Sequence, residues 1–169
     1  MTDLSGHHAV ITGGGTGIGA AIAKVLGQAG AMVSVMGRRI DTLEVVAAAH
    51  PLCAAITIDV TDESSVEAAM ASARQRAPVT ILINNAGGAE TAPLARTSTA
   101  LFNRMIALNL TGTFLCSRAL LPDIAAAAGG RIISVASTSG LKGYAYTGAY
   151  AAAKHGVIGL TRTMALELA

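Results

Sequence analysis

Residues 8–28 read HAVITGGGTGIGAAIAKVLGQ, and the reading of this stretch decides the fold. His8 to Thr12 is a short apolar run that predicts a strand, and Gly17 to Gln28 predicts a helix ended by Gly30. Between them lies Thr12-Gly13-Gly14-Gly15-Thr16-Gly17-Ile18-Gly19. A strand that passes through a glycine-rich turn into a helix N-terminus presents backbone N–H groups and the positive end of the helix dipole to an anion. In that context Gly13 allows a tight turn, Gly17 lets a diphosphate approach the backbone, and Gly19 lets the helix pack closely. The spacing is G-x-x-x-G-x-G rather than G-x-G-x-x-G. The alternative is a glycine-rich connector that holds no ligand.

Outward from this unit the pattern repeats. Met32 to Met36 predicts a second strand, and Ile40 to Ala49 a helix stopped by His50-Pro51. Ala54 to Ile58 is the third strand, and Asp62 and Glu63 suit the positive end of the helix that follows. Val79 to Ile83 is the fourth. Ser98 caps a long helix to about Ala128, in which Pro122 predicts a kink or break. Arg131 to Ala136 is a fifth, buried strand, and Tyr150 to Leu168 the last helix. Alternation of apolar strands with helices predicts a parallel sheet covered on both faces, a doubly wound α/β fold in one domain over residues 1–169.

Composition agrees. The chain is 52% hydrophobic and 13% charged, which favours a large core over disorder. With 3% aromatic residues and no Trp, that core is built from Ala, Val, Ile and Leu. A net charge of +2 is too small to argue for nucleic acid or a membrane surface. Cys53 and Cys116 show no motif spacing and read as buried thiols in a reducing compartment. No metal site is expected. The start resembles no signal peptide and no uninterrupted apolar run spans a bilayer, so a cytoplasmic protein is expected.

The second strand leads into Met36-Gly37-Arg38-Arg39, with no acidic residue before Asp41. An acid there would bind the adenosine ribose of NAD, and an arginine would accept the 2′-phosphate of NADP. NADP is therefore favoured and NAD remains possible, unless the two arginines only solvate a loop. Asp59, with Val60 beside it, is placed to reach the adenine or to cap the next helix. Asn84-Asn85-Ala86-Gly87 follows strand four, where the backbone runs close to the nucleotide.

The chemistry sits in Gly130 to Lys154, GRIISVASTSGLKGYAYTGAYAAAK. Tyr150 and Lys154 are four apart on one helix face. An ammonium beside a phenol favours the phenolate and makes a proton-transfer pair. Ser137 adds a hydroxyl at the carboxyl end of strand five, where open α/β sheets bind ligands. Tyr144 and Tyr146 have no lysine four residues on. Asn109 lies in a helical run, Phe102 to Leu115, as a polar amide on a face expected to be buried, or as a satisfied interior Asn. His155 is assigned no chemistry.

Together these residues resemble the short-chain dehydrogenase/reductase family over essentially the whole chain. Thr12 to Gly19 matches its coenzyme turn, Asp59 its adenine-side aspartate and Asn84 to Gly87 its NNAG segment. Asn109, Ser137, Tyr150 and Lys154 match its catalytic tetrad. The resemblance implies a Rossmann-type, three-layer αβα fold. It also implies Tyr150 as general acid/base, Lys154 as the group that assists it and bonds the nicotinamide ribose, and Ser137 as the group that polarises the carbonyl. Asn109 would hold a water linking Lys154 to solvent. The implied ligands are NAD(P) and a secondary alcohol or ketone, with similarity to enzymes of 3-hydroxyacyl or 3-oxoacyl thioesters. A homo-oligomer through the two long helices is implied as well.

Family members usually continue past the catalytic helix, so the chain is expected to be a fragment lacking the last strands. Two other readings stand beside the enzyme: a dinucleotide-binding module without turnover, and an assembly module.

Overall fold

The computed structural model describes residues 3–169. Five strands form a parallel sheet in the order β3-β2-β1-β4-β5. They are β1 (His8–Thr12), β2 (Met32–Gly37), β3 (Cys53–Thr57), β4 (Ile81–Asn84) and β5 (Arg131–Ser134). The helices are α1 (Gly17–Gln28), α2 (Ile40–Ala47), α3 (Glu63–Arg74), α4 (Thr99–Ile106), α5 (Gly112–Ala126) and α6 (Gly148–Glu167). Every residue of β1 is buried, as a central strand covered on both faces must be. On one face Val10, Met36 and Leu82 pack with Val66 and Met70 of α3 and Cys116, Leu120 and Ile124 of α5. On the other, Ile11, Val33, Val35 and Ile83 pack with Ala23 of α1 and Leu43 of α2. This is the three-layer doubly wound architecture expected. Strand order reverses between β1 and β4, and such a switch point opens a crevice at the carboxyl ends of the strands.

The expected elements are all present, with three corrections. β5 is not buried: Arg131 is exposed and Ile133 is 50% exposed. Among the described residues it is an edge strand paired only with β4, with Ile132 packed against the α5 side of the core. Pro122 does not break its helix, because α5 runs through it to Ala126. The helical stretch departs from regularity earlier, in a π turn at Ala107–Thr111. This stretch, Thr99–Ala126, is long and apolar enough to cross a membrane by length and composition alone, but Leu115, Cys116, Leu120 and Ile124 are packed into the core.

The π turn has a local cause. Nδ2 of Asn109 donates to the Met105 carbonyl at 3.0 Å, taking the acceptor that a regular turn would give to the Asn109 main chain. Thr113 Oγ1 in turn donates to the Asn109 carbonyl at 2.9 Å. Widened turns of this kind recur at functional sites.

Candidate active site

The turn after β1 is held by a cross-bonded pair. Thr12 Oγ1 accepts from the main-chain N–H groups of Asn85 and Ala86 at 3.1 and 3.0 Å. Asn85 Nδ2 returns two bonds, to the carbonyls of Thr12 and Gly13 at 3.0 and 3.1 Å. The ends of β1 and β4 are thereby locked at the switch point. Gly13 has φ +65°, and a Cβ there would lie 2.9 Å from the Ala86 Cα. A Cβ on Gly19 would lie 2.3 Å from the Gly13 carbonyl oxygen, so Gly19 makes room for the turn itself. The Thr16 side chain makes no capping bond and α1 carries no acid in its first turn, which leaves its N–H groups and positive dipole end open.

Two adjoining hollows follow. A cleft of about 530 Å³ is lined by Gly13, Gly15, Thr16, Gly37, Arg38, Arg39, Thr42 and Leu43. A second, of about 140 Å³, shares Gly13, Gly37 and Arg38 and adds Ile58, Asp59, Val60, Ala86, Gly87 and Leu108. Gly17 and Ile18 begin α1, and Ile18 is exposed. The Asp59 carboxyl is held below its usual range by the Thr61 N–H and hydroxyl, at 2.9 and 2.7 Å, with the Arg38 charge adding to the effect. Asp62, not Asp59, caps α3, accepting from the N–H groups of Ser64 and Ser65. Asp59 therefore stands in the wall of the hollow, and the capping alternative falls to its neighbour. Thr42 and Leu43 were not singled out by sequence. The hydroxyl of Thr42 donates to the Arg39 carbonyl at 2.9 Å, and a threonine in the first turn of a helix that follows a strand end was a usable signal. Leu43 gave none.

The chemical residues lie past β4 and β5. Asn109 is fully buried. It accepts from the Gly88 N–H at 3.1 Å and donates to the Gly88 carbonyl at 2.9 Å, pairing with this loop as a strand would. Both of its amide protons are thus committed, to Gly88 and Met105, so a water bound by Asn109 must donate to one of its oxygens. Ser137 opens the 3₁₀ turn Thr138–Gly140 and its Oγ accepts from the Ser139 N–H at 3.1 Å, which leaves the hydroxyl proton available. A Cβ on Gly140 would lie 2.8 Å from the Lys154 carbonyl, so the turn carrying Ser137 is pressed against α6. Tyr150, half-buried, and Lys154, buried, stand one turn apart on α6. Lys154 Nζ lies 5.8 Å from the centre of the Tyr150 ring and donates to the Val135 carbonyl at 2.8 Å. Burial pushes the Lys154 ammonium to a lower pKa, since a charge in a poorly solvated place is disfavoured. Nζ would be 3.6 Å from a Cβ on Gly87, which brings α6 beside the loop after β4.

This arrangement places an anion-receptive turn, a basic-edged cleft and a phenol–ammonium pair at the carboxyl ends of the strands. Residues 7–169 match the family model described as short chain dehydrogenase. A sorbitol dehydrogenase of Cereibacter sphaeroides is 36% identical over 98% of this chain and 66% of its own length. A D-beta-hydroxybutyrate dehydrogenase of Rhizobium meliloti (strain 1021) is 38% identical over 95% of this chain and 65% of its own. An inactive 2-(S)-hydroxypropyl-CoM dehydrogenase 2 of Xanthobacter autotrophicus is 40% identical over 86% and 64%. Among solved structures, a variant actinorhodin polyketide ketoreductase with NADPH superposes with TM-score 0.91 at 31% identity, covering 99% of this chain and 67% of that one. The chain spans about two thirds of the length of the curated relatives it matches.

Proposed function

The chain belongs to the short-chain dehydrogenase family, and from that premise we propose that it is an NAD(P)-dependent oxidoreductase acting on a secondary alcohol or ketone, with NADP the preferred cofactor. The observation that carries this reading is the buried Lys154 one helical turn from Tyr150, beside the loops that line the cleft. The cleft fits a dinucleotide. Its wall is glycine backbone, where a Cβ on Gly13 would crowd Ala86 and one on Gly15 would crowd Thr42, its helix end is uncapped, and its outer edge carries Arg38 and Arg39. Thr12, Gly13, Gly15, Thr16, Gly17, Ile18 and Gly19 would hold the diphosphate end, and Arg38 and Arg39 the 2′-phosphate. Asp59 and Val60 would meet the adenine. Asn85, Ala86 and Gly87 would flank the remaining ribose, with Tyr150 and Lys154 at the nicotinamide end.

When bound, the nicotinamide supplies or accepts the hydride. The chain's own residues manage the proton. In reduction Tyr150 gives its phenolic proton to the carbonyl oxygen, and the Lys154 ammonium stabilises the phenolate left behind. The Ser137 hydroxyl donates a hydrogen bond to the same oxygen and orients it, keeping its own proton. Asn109 fixes the Gly88 loop and the widened turn, and an oxygen of Asn109 accepts from a water on the route to Lys154. A 3-oxoacyl or 3-hydroxyacyl thioester is the finer substrate reading, supported by resemblance in Ala89–Leu94 and Ser137–Lys154. A homo-oligomer through α5 and α6 is supported by the apolar groove between them, lined by Phe114, Leu121, Leu160 and Met164.

The test is NADPH oxidation with a panel of ketones and a short 3-oxoacyl thioester, followed by nicotinamide absorbance. Turnover is expected in the wild type, and Tyr150→Phe should lose about 10²–10⁴-fold while binding NADPH unchanged. Near-normal turnover in that variant removes Tyr150 from its role. NADPH binding with no turnover in the wild type would favour the non-catalytic reading, which the inactive Xanthobacter relative gives some weight.

A further inference from the structure

Tyr146 is the one non-glycine residue with positive φ among the described residues, at +68°. A residue with a side chain adopts this left-handed backbone only where its surroundings over-determine it. Here they do. The Tyr146 carbonyl accepts from the Ala92 N–H at 2.9 Å, and Ala92 is anchored on the cluster of Leu101, Met105 and Ala149. On the next residue, the Thr147 hydroxyl donates to the Tyr144 carbonyl at 2.9 Å. The strain secures no packing, because the Tyr146 side chain is 63% exposed. A glycine would fit this backbone without strain, so stability alone gives no reason for a tyrosine.

Its position supplies the reason. Tyr146 lies between Ser137 and Tyr150, one residue before the cap of the helix that carries Tyr150 and Lys154. Its bond to Ala92 joins this segment to the loop that bears Leu94, which is 85% exposed. Leu141 and Tyr144 on the Ser137 side are exposed as well. The Lys142 ammonium sits over the Tyr144 ring at 5.1 Å. Five aromatic residues serve the whole chain, and three of them fall at 144, 146 and 150.

We propose that Tyr146 is a specificity residue whose ring binds the apolar body, ring or chain, of the ketone or alcohol presented to Tyr150. The inference rests on the oxidoreductase reading above. Its test uses Tyr146→Gly and Tyr146→Asn, both of which suit a left-handed backbone and lack the ring. The melting temperature of Tyr146→Gly should be equal to or above that of the wild type, and NADPH affinity unchanged. KM for 4-phenylcyclohexanone should rise by about three- to tenfold, the scale of a lost aromatic contact, while kcat, and KM for 2-butanone, stay the same. Affinity is also read without turnover, by calorimetry of 4-phenylcyclohexanone in a Tyr150→Phe background with and without Tyr146→Gly. The same loss of affinity is expected there. An active Tyr150→Phe enzyme would defeat the catalytic reading and leave this calorimetric result to decide the present one. Equal losses for both ketones, a lowered melting temperature, or ring-ketone binding that is absent or indifferent to Tyr146 would overturn it.

Discussion

Nε2 of the buried His8 lies 2.8 Å from Oγ of Ser34, deep between β1 and β2. The Ala77 carbonyl, 3.0 Å from Nδ1, can only accept, so Nδ1 carries the hydrogen of the neutral ring. Nε2 then accepts from the Ser34 hydroxyl, whose oxygen accepts in turn from Arg76 at 2.7 Å. Burial pushes the His8 pKa down, with the Arg76 charge acting in the same direction. Below about pH 6.5 the unfolded chain takes up a proton here that the native chain does not. Stability should therefore fall as pH drops from about 6.5 towards the lowered native value, by at most about 1.4 kcal/mol per pH unit. The carboxylates with lowered pKa, such as Asp59 and Asp123, act only at lower pH. Urea unfolding at pH 7.5 and 5.5 checks this, and His8→Gln should flatten the dependence. An unchanged slope in that variant would assign it elsewhere.

The Thr12 hydroxyl serves two N–H groups at once. Thr12→Val keeps the shape and strands both, which should cost about 1–3 kcal/mol in urea unfolding and weaken NADPH binding with it. Thr12→Ser should retain most of both properties. Equal behaviour of the two variants would show that the methyl group, not the hydroxyl, matters.

Arg38 lies at the edge of both hollows and across from Asp59. Arg38→Ala should weaken NADPH binding by about 1.5–3 kcal/mol and leave NADH nearly unaffected. Titration of each nucleotide by fluorescence checks it. Equal losses, or a wild-type preference for NADH, would make Arg38 a solvated loop residue.

Phe114 is exposed beside the groove between α5 and α6, with the Arg118 guanidinium 5.0 Å from its ring centre. Sedimentation velocity should show an oligomer that Phe114→Glu dissociates. A wild-type monomer would refute the proposed contact.

The fold was legible because glycines and apolar runs report backbone needs directly. The strand–turn–helix at residues 8–28 appears with the expected bounds. Ile132 and Ile133 read as buried because hydrophobicity reports what a residue prefers, while burial at β5 depends on which neighbours lie alongside. Asn109 stood out as a misplaced amide, yet the widened turn around it follows from a side chain competing with backbone for the Met105 carbonyl, which no propensity records. The partner of Lys154 is the main-chain carbonyl of Val135, and main-chain acceptors leave no mark in a sequence. The left-handed backbone of Tyr146 leaves no mark in the sequence, because the residue its carbonyl bonds lies 54 positions earlier.

The widened turn at Ala107–Thr111 also preserves the register of the helices around it. α4 packs on α6, while α5 packs on β4, β5 and α3. A regular helix advances about 100° per residue, whereas a π turn closes its hydrogen bond one residue later and carries one extra residue through about the same rotation. The turn therefore absorbs that residue while Cys116, Leu120 and Ile124 face the sheet and Leu101 and Met105 face α6. Removing one residue between Ile106 and Gly112 should close the turn to a regular one and keep both faces, so the extra residue there serves the placement of Asn109 and not the packing of the helices.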